Sequence, residues 1–409
     1  MRVLYIGGVG PFGGASRSLF EAVGALPDGA VQSYFLMPRG TAMDFYRRVA
    51  KDTLATVGIS RFDHTRATYY RGFRWVVLAR ECVYIVPTIF GLLKARRRWR
   101  DIDIVHVNEI TEVIPAIFAK MIFGAKLVVH VRSLVETNRG LWRTRLLHRA
   151  LRRHADAVVA IDETVRATLP DDLPVTVIHN SFTPSPIEQP DEAYLNKLAT
   201  LRPTSLKVGF VGNLLRIKGV SELIYAARVV RDRGGDVQIL LVGGALVKSS
   251  GIKSRLLSLI GVSQDAGDDS RTLVERFGLQ DDVLLLGPTR DIQRVYPKID
   301  VLAFPSHFDA PGRPVFEAAF FGVPSIVAVR DPTPDTLVHN ETGLAIAKPD
   351  PELLADAIMT FADNRSELLR MGRNAKALAE RNFVPKTNSA ILLALYKGLM
   401  ERRNTPRRG

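Results

Sequence analysis

An α/β fold with two Rossmann-like domains facing each other across a cleft is what this 409-residue sequence predicts. Three observations lead there. The length exceeds what one hydrophobic core usually serves and suits two domains of ordinary size. Short, β-branched runs alternate with longer helical stretches from end to end, the pattern of a parallel sheet covered by helices. The alternation also restarts after a polar, proline-containing stretch from Ser181 to Ser205, which reads as an interdomain linker.

Taken in order, the strand-like runs of the first half are Val3–Ile6, Val31–Leu36, Ile104–Val107, Leu127–Val131, Val158–Ile161 and Val175–Ile178. Those of the second half are Lys207–Val211, Val237–Val242, Val283–Leu286, Val301–Phe304 and Ser325–Val329. This places a first domain over 1–183, a linker over 184–205 and a second domain over 206–384. Helical sequence runs from Pro351 to Arg381. Pro385 then sets off an apolar, helix-favouring segment through Met400, expected to fold back on the first domain before a basic tail ends at Gly409.

Composition narrows the class. Apolar residues make up 46% of the chain and charged residues 24%, enough to fill two cores. The single cysteine, Cys82, has no internal partner, and Met1–Ile6 runs straight into strand-like sequence, so a cytoplasmic protein is expected. A net charge of +14 favours an anionic partner such as a membrane surface, a nucleic acid or a phosphorylated substrate. No zinc-finger spacing or aromatic RNA-binding strand pair accompanies it, so no nucleic-acid partner is expected. The apolar stretch Trp75–Lys94 precedes Arg96, Arg97, Arg98 and Arg100 and is interrupted by Arg80, Glu81 and Pro87. A membrane-spanning helix keeps charges out of its middle, so this one is expected to pack in or on the first domain. Its Trp, Tyr and Arg content suits a core and a bilayer interface equally.

Three strand-to-helix turns carry chemistry. The first, Gly7–Gly8–Val9–Gly10–Pro11–Phe12–Gly13–Gly14, is a glycine-rich turn of the kind that sets backbone N–H groups against a phosphate. Gly8, Gly10 and Gly13 also spell the dinucleotide fingerprint, but the second strand closes on Leu36–Met37–Pro38–Arg39 without the ribose-binding carboxylate that a dehydrogenase needs. A tight turn with no ligand is the plain alternative. The second turn, Gly212 to Gly219, projects Arg216 and Lys218, one a fork and one a point charge for a diphosphate. In the third, Phe304 to Ala318, Asp309 and Glu317 flank Gly312 and Arg313 with seven residues between the carboxylates. Solvated cations and a dipole-compensating Glu317 are the alternatives for these two turns.

In order and place, Gly13–Gly14, then Gly212 with Arg216–Ile217–Lys218–Gly219, then Asp309-x7-Glu317 with Gly312 and Pro314 resemble glycosyltransferase family 4. These are retaining, metal-independent enzymes of the two-Rossmann GT-B architecture, and the likeness runs from Arg2 to about Phe383. The resemblance implies a nucleotide-sugar donor, no further cofactor and no metal. It implies that Gly13, Gly14 and Gly212 contribute to donor binding, that Arg216 and Lys218 hold the diphosphate, and that Glu317 holds the ribose. Asp309 would take hydroxyls of the transferred sugar, and Gly312, Arg313 and Val315 would offer backbone N–H groups, Pro314 having none. His130, near the end of its strand, would be an active-site histidine. With Arg132 and with Asn180, which follows His179 at the domain crossing, it would serve the acceptor.

Two departures from the family stand out: Asp309 replaces the usual Glu, one methylene longer, and the segment Ala245–Ser270, with Lys248, Lys253 and Arg255 beside Leu256, Leu257, Leu259 and Ile260, exceeds the usual loop. Asp101–Ile102–Asp103 has the form of a metal-binding pair but reads as a polar strand entrance. The acceptor is expected to be a glycan or a lipid-linked glycan of cell-surface polysaccharide assembly. Arg66, Tyr69, Tyr70, Arg71, Arg74 and Trp75, with Arg139, Trp142, Arg143, Arg145, Arg149, Arg152 and Arg153, suggest an enzyme resting peripherally on anionic lipid at the inner face of the membrane. Solvated helix faces explain the same arginines. A nucleotide-sugar epimerase of the same architecture, an NADP-dependent oxidoreductase and a non-catalytic polyanion binder are the competing readings.

Overall fold

Strand runs that are apolar on both faces must be covered on both faces, and this requirement shapes both halves of the chain. The computed structural model describes residues 1–66, 74–184, 191–244, 267–289 and 291–404. Tyr69, Tyr70 and Arg71, residues 245–266 of the long segment with Lys248, Lys253 and Arg255, and the end of the basic tail lie outside the described residues. The chain divides into a first domain, Met1–Phe182 with Phe383–Gly409, and a second, Thr183–Asn382. This differs from a plain N-terminal and C-terminal split, because the C-terminal segment belongs to the first domain.

Among the described residues, the first domain holds a seven-stranded parallel sheet: β1 (Arg2–Ile6), β2 (Gln32–Pro38), β3 (Asp52–Thr56), β4 (Ile104–Val107), β5 (Lys126–Val131), β6 (Ala157–Ala160) and β7 (Val175–Val177). Their order is β3-β2-β1-β4-β5-β6-β7. Alternation along β1 explains the two layers. Leu4 and Ile6 join Val105, Val107, Leu127 and Val129 beneath helices Arg74–Arg98, Val113–Phe123 and Trp142–His154. Val3 and Tyr5 join Phe35, Ile104, Val128 and Val159 beneath helices Gly14–Gly24 and Pro385–Asn404.

The second domain repeats the plan with β8 (Leu206–Val211), β9 (Val237–Val242), β10 (Val283–Gly287), β11 (Val301–Phe304), β12 (Ser325–Ala328) and β13 (Gly343–Ile346), ordered β10-β9-β8-β11-β12-β13. Leu206, Val208 and Phe210 pack against Leu223, Ile224, Leu354 and Ile358 of helices Val220–Asp232 and Pro351–Asp363. Val211, Val242, Leu302 and Phe304 form the core of the other face.

The structure corrects several expectations. The stretch read as a linker over 184–205 carries helix Glu192–Ala199, capped by Asp191, and its Tyr194 and Leu198 lie buried in the second domain's core. The single helical run from Pro351 is broken at Asn364 (φ −132°, ψ 81°) into Pro351–Asp363 and Arg365–Asn382. Strands β3 and β13, each at the edge of its sheet, went unread; β3 has the mixed sequence Asp52–Thr53–Leu54–Ala55–Thr56, which lacks an apolar run.

Candidate active site

In an open parallel sheet, ligands gather beyond the carboxyl ends of the strands where the strand order reverses. That point lies between β1 and β4 in the first domain and between β8 and β11 in the second. Each glycine-rich turn found in the sequence sits at one of these places.

In the first domain, the Gly8 N–H donates to Glu112 Oε1 (3.1 Å). A Cβ on Gly8 would stand 2.2 Å from that oxygen, and one on Gly10 would stand 2.3 Å from the Arg39 carbonyl oxygen. These two glycines are therefore demanded by packing inside the turn. Glu112 takes the N–H that a pyrophosphate would need, so the dinucleotide reading loses its anion site. Burial and the neighbouring Glu109 push the Glu112 carboxyl up to about 8. Gly13, by contrast, has no atom within 4 Å of its would-be Cβ and lies extended just before helix Gly14–Gly24.

His130, Arg132 and Asn180 come together at the ends of β5 and β7. Arg132 donates from Nη1 to Asn180 Oδ1 (2.7 Å), from Nε to Asn108 Oδ1 (2.8 Å), and from Nη2 to His130 Nδ1 (3.3 Å). Glu109 accepts from the Arg132 N–H (3.2 Å) and from the Ser133 hydroxyl (2.7 Å). A guanidinium only donates, so His130 Nδ1 must be the unprotonated nitrogen and Nε2 must carry the hydrogen.

The neighbours agree with this assignment. His106 Nε2, 3.3 Å away, must donate to His130 Nδ1, which leaves His106 Nδ1 to accept from the Tyr396 hydroxyl at 2.5 Å. Burial, then the charge of Arg132, hold both imidazoles far below their usual range, His106 at about 3. His130 is thus a neutral N–H donor. Its Nε2 is buried and has no hydrogen-bond partner among the described residues.

In the second domain, the turns after β8 and β11 lock together. Gly219 adopts a left-handed conformation (φ 74°), and a Cβ there would stand 1.8 Å from the Pro305 carbonyl oxygen. The His307 N–H donates to the Ile217 carbonyl (3.0 Å). Lys218 consequently lies over the rings of Phe304 (5.1 Å) and Phe308 (4.6 Å). Burial draws its ammonium down to about 8, whereas the ring faces attract the charged form. Arg216 is exposed and turned to Asp269 (Nε to Oδ2, 2.9 Å), at the start of helix Gly267–Arg276. Gly243 (φ 149°) lets the Gly212 carbonyl approach closely, since a Cβ on Gly243 would stand 1.7 Å from that oxygen, whereas one on Gly212 would meet the Phe210 ring at 3.9 Å.

Glu317 is buried. It accepts from Arg313 Nε (3.0 Å) and from the Tyr296 hydroxyl (2.9 Å). Asp309 has a positive φ (55°) and is gripped by Arg330 through its backbone N–H (2.9 Å), Nε (3.0 Å) and Nη2 (2.7 Å). The two carboxylates expected on sugar and ribose hydroxyls therefore each have a protein cation on them. The Val315 N–H, expected to face a ligand, donates instead to the Gly312 carbonyl (3.0 Å). Gly312 itself is required by Phe304, whose ring carbon would stand 2.4 Å from a Cβ there.

The sequence reading missed His106, Glu109, Glu112, Tyr296, Arg330 and Tyr396. Three of these had a signal: a histidine within the apolar strand Ile104–Val107, and the two glutamates that follow that strand. The others are brought in from distant segments. Asp103 accepts the Arg2 N–H (2.9 Å) at the entrance to β4, at the opposite end of the strand from these turns.

Comparison with known proteins accords with this geometry. The family model described as Glycosyltransferase Family 4 matches residues 12–185, and that described as Glycosyl transferases group 1 matches residues 197–378. The lipopolysaccharide core biosynthesis mannosyltransferase LpsB of Rhizobium meliloti is 27% identical over 313 residues, covering 75% of this chain and 82% of its own. A D-inositol 3-phosphate glycosyltransferase of Corynebacterium efficiens is 31% identical over 46% of this chain, and the match spans 42% of that protein's length. Among solved structures, Alr3699/HepE of Anabaena in complex with UDP superposes with a TM-score of 0.72 at 18% identity, covering 97% of this chain and 100% of that one. The shared fold is the two-Rossmann GT-B fold.

Proposed function

The chain belongs to glycosyltransferase family 4, and on that premise we propose that it transfers a hexose from a nucleotide-sugar to a glycan or lipid-linked acceptor in cell-surface polysaccharide biosynthesis, with retention of configuration. The observation that carries this reading is the locked pair of turns after β8 and β11. They set Lys218 over Phe304 and Phe308, in the turn that leads into the helix bearing Arg313 and Glu317, with the exposed Arg216 two residues before it in the chain, at the reversal point of the second sheet. A nucleoside diphosphate gains negative charge as its bond to the sugar breaks, and fixed cations there lower the barrier most. In this reading the two side chains supply that charge in place of a metal.

In the proposed step, the bond from the anomeric carbon to the phosphate oxygen breaks as a bond to the acceptor oxygen forms on the same face. The acceptor's proton passes to the departing phosphate. Glu317, oriented by Arg313 and Tyr296, is assigned to the ribose, and Asp309, held by Arg330, to hydroxyls of the sugar. Gly13 and Gly14 would line the donor side of the first domain. His130 would donate its Nε2–H to a sugar hydroxyl, with Arg132 and Asn180 framing the acceptor. The named relatives support this reading: LpsB is a mannosyltransferase of lipopolysaccharide core biosynthesis, and HepE was solved with UDP.

Calorimetry with a panel of nucleotides and nucleotide-sugars in EDTA tests the proposal. One nucleoside diphosphate and its sugar should bind, at least about tenfold more weakly in Arg216→Ala and Glu317→Gln. Binding of NADPH unaffected by either change would sink it. Proton NMR of the product's anomeric coupling decides retention.

A further inference from the structure

Helix Arg74–Arg98 presents two unlike faces. Its inner face is tied to the first domain: Glu81 accepts from the Arg61 N–H (2.7 Å), the Thr88 hydroxyl accepts from the Ser60 N–H (2.9 Å), and Leu92 and Ala95 are fully buried. On its outer face, Val76, Val83, Val86, Phe90 and Leu93 recur at helical spacing along one stripe, and Val76, Val83 and Phe90 are 69%, 68% and 69% exposed. By length and composition this helix is apolar enough to cross a membrane. The bonds of its inner face keep it on the domain, so it lies flat.

A second element extends the surface. Arg143 of helix Trp142–His154 stacks on Trp75 (5.2 Å), which brings the starts of the two helices together. Trp142 is 62% exposed, Leu146 is exposed beside it, and Arg145 and Arg149 follow on the same side of the helix. At the other end of the apolar stripe stand Lys94, Arg96 and Arg97, all exposed. The only acidic residue of either helix is Glu81, on the buried side.

We propose that this face of the first domain docks on an anionic lipid bilayer, with helix Arg74–Arg98 lying in the plane of the headgroups. An apolar stripe about 26 Å long, bordered by cations and aromatic rings and lacking accessible carboxylates, matches the chemistry of an anionic interface. A second copy of the chain fits poorly, because a two-fold interface would set the same cations against each other.

The test is sedimentation of the full chain with phosphatidylcholine vesicles and with vesicles containing about 30% phosphatidylglycerol, at low and high salt. The chain should pellet with the anionic vesicles and be released by salt. A double variant, Val83→Asp with Phe90→Asp, and a second, Arg145→Gln with Arg149→Gln, should each weaken binding at least about tenfold while binding nucleotide as the wild type does. Brominated lipid tests the same surface without a variant: it should quench the exposed Trp75 and Trp142 and spare the buried Trp99. No pelleting, pelleting unchanged in both variants, or an absence of quenching overturns the proposal. So does a chain that ignores vesicles and forms a dimer that Phe90→Asp dissolves.

Discussion

Lys218 is a cation in an apolar setting, and on the proposed reading donor binding should depend on pH through it. Burial brings its ammonium down to about 8, while a bound diphosphate stabilises the charged form and raises it again. The sign follows. Affinity for a nucleoside diphosphate should be constant below pH 8, then fall by up to about tenfold per pH unit above it until the bound-state value is reached. Calorimetry between pH 6.5 and 9.5 measures this, and Lys218→Gln should flatten the profile; an unchanged slope in that variant would assign the effect elsewhere. The lysine itself was legible in sequence from its place after a strand. Its aromatic clamp was not, because Phe304 and Phe308 reach it only through the packing of two turns.

The same scale holds the histidine pair. Tyr396 supports the tautomers that Arg132 imposes: its hydroxyl donates to His106 Nδ1, which keeps the His106 hydrogen on Nε2, facing His130 Nδ1. Tyr396 is a positioning residue. Tyr396→Phe leaves His106 Nδ1 without its donor in a buried site and should lower kcat about tenfold with nucleotide affinity unchanged. Nitrogen-15 NMR of the imidazoles supplies the reading that a packing role alone would leave unmoved: a mixture of His130 tautomers. A fully Nε2-protonated His130 with wild-type turnover would show that Arg132 suffices.

At the scale of elements, the C-terminal helix Pro385–Asn404 completes the first domain. Leu392, Tyr396 and Leu399 are buried in the core that Leu19 and Val23 of helix Gly14–Gly24 share with β1, β4 and β5. Leu392→Ala should cost about 2–5 kcal/mol, read from denaturant unfolding, and a change below about 0.5 kcal/mol would mean that the helix is peripheral. Its helical nature was visible in the apolar spacing after Pro385. Helix Glu192–Ala199 was not, since eight residues with two apolar anchors resemble a polar connection until Tyr194 and Leu198 are seen in a core. Helix Arg74–Arg98 was ambiguous for a related reason: composition shows how apolar a helix is, and only its neighbours show which side faces outward.

For the whole molecule, the two parallel sheets follow from strands buried on both faces, which leave continuous apolar runs that sequence displays directly. The three strand-to-helix turns were legible from glycines that follow their strands. The sequence alone determined the class of fold, the number of sheets and the family, because these depend on local pattern and order along the chain. Tertiary structure decided the strand order that puts those turns at reversal points. It also decided the pairing of Glu317 with Tyr296 and Arg313, of Asp309 with Arg330, and of His106 with a tyrosine 290 residues away. Such partners meet only when distant segments pack, and a hydrogen bond depends on distance and direction in space, which spacing along the chain does not encode.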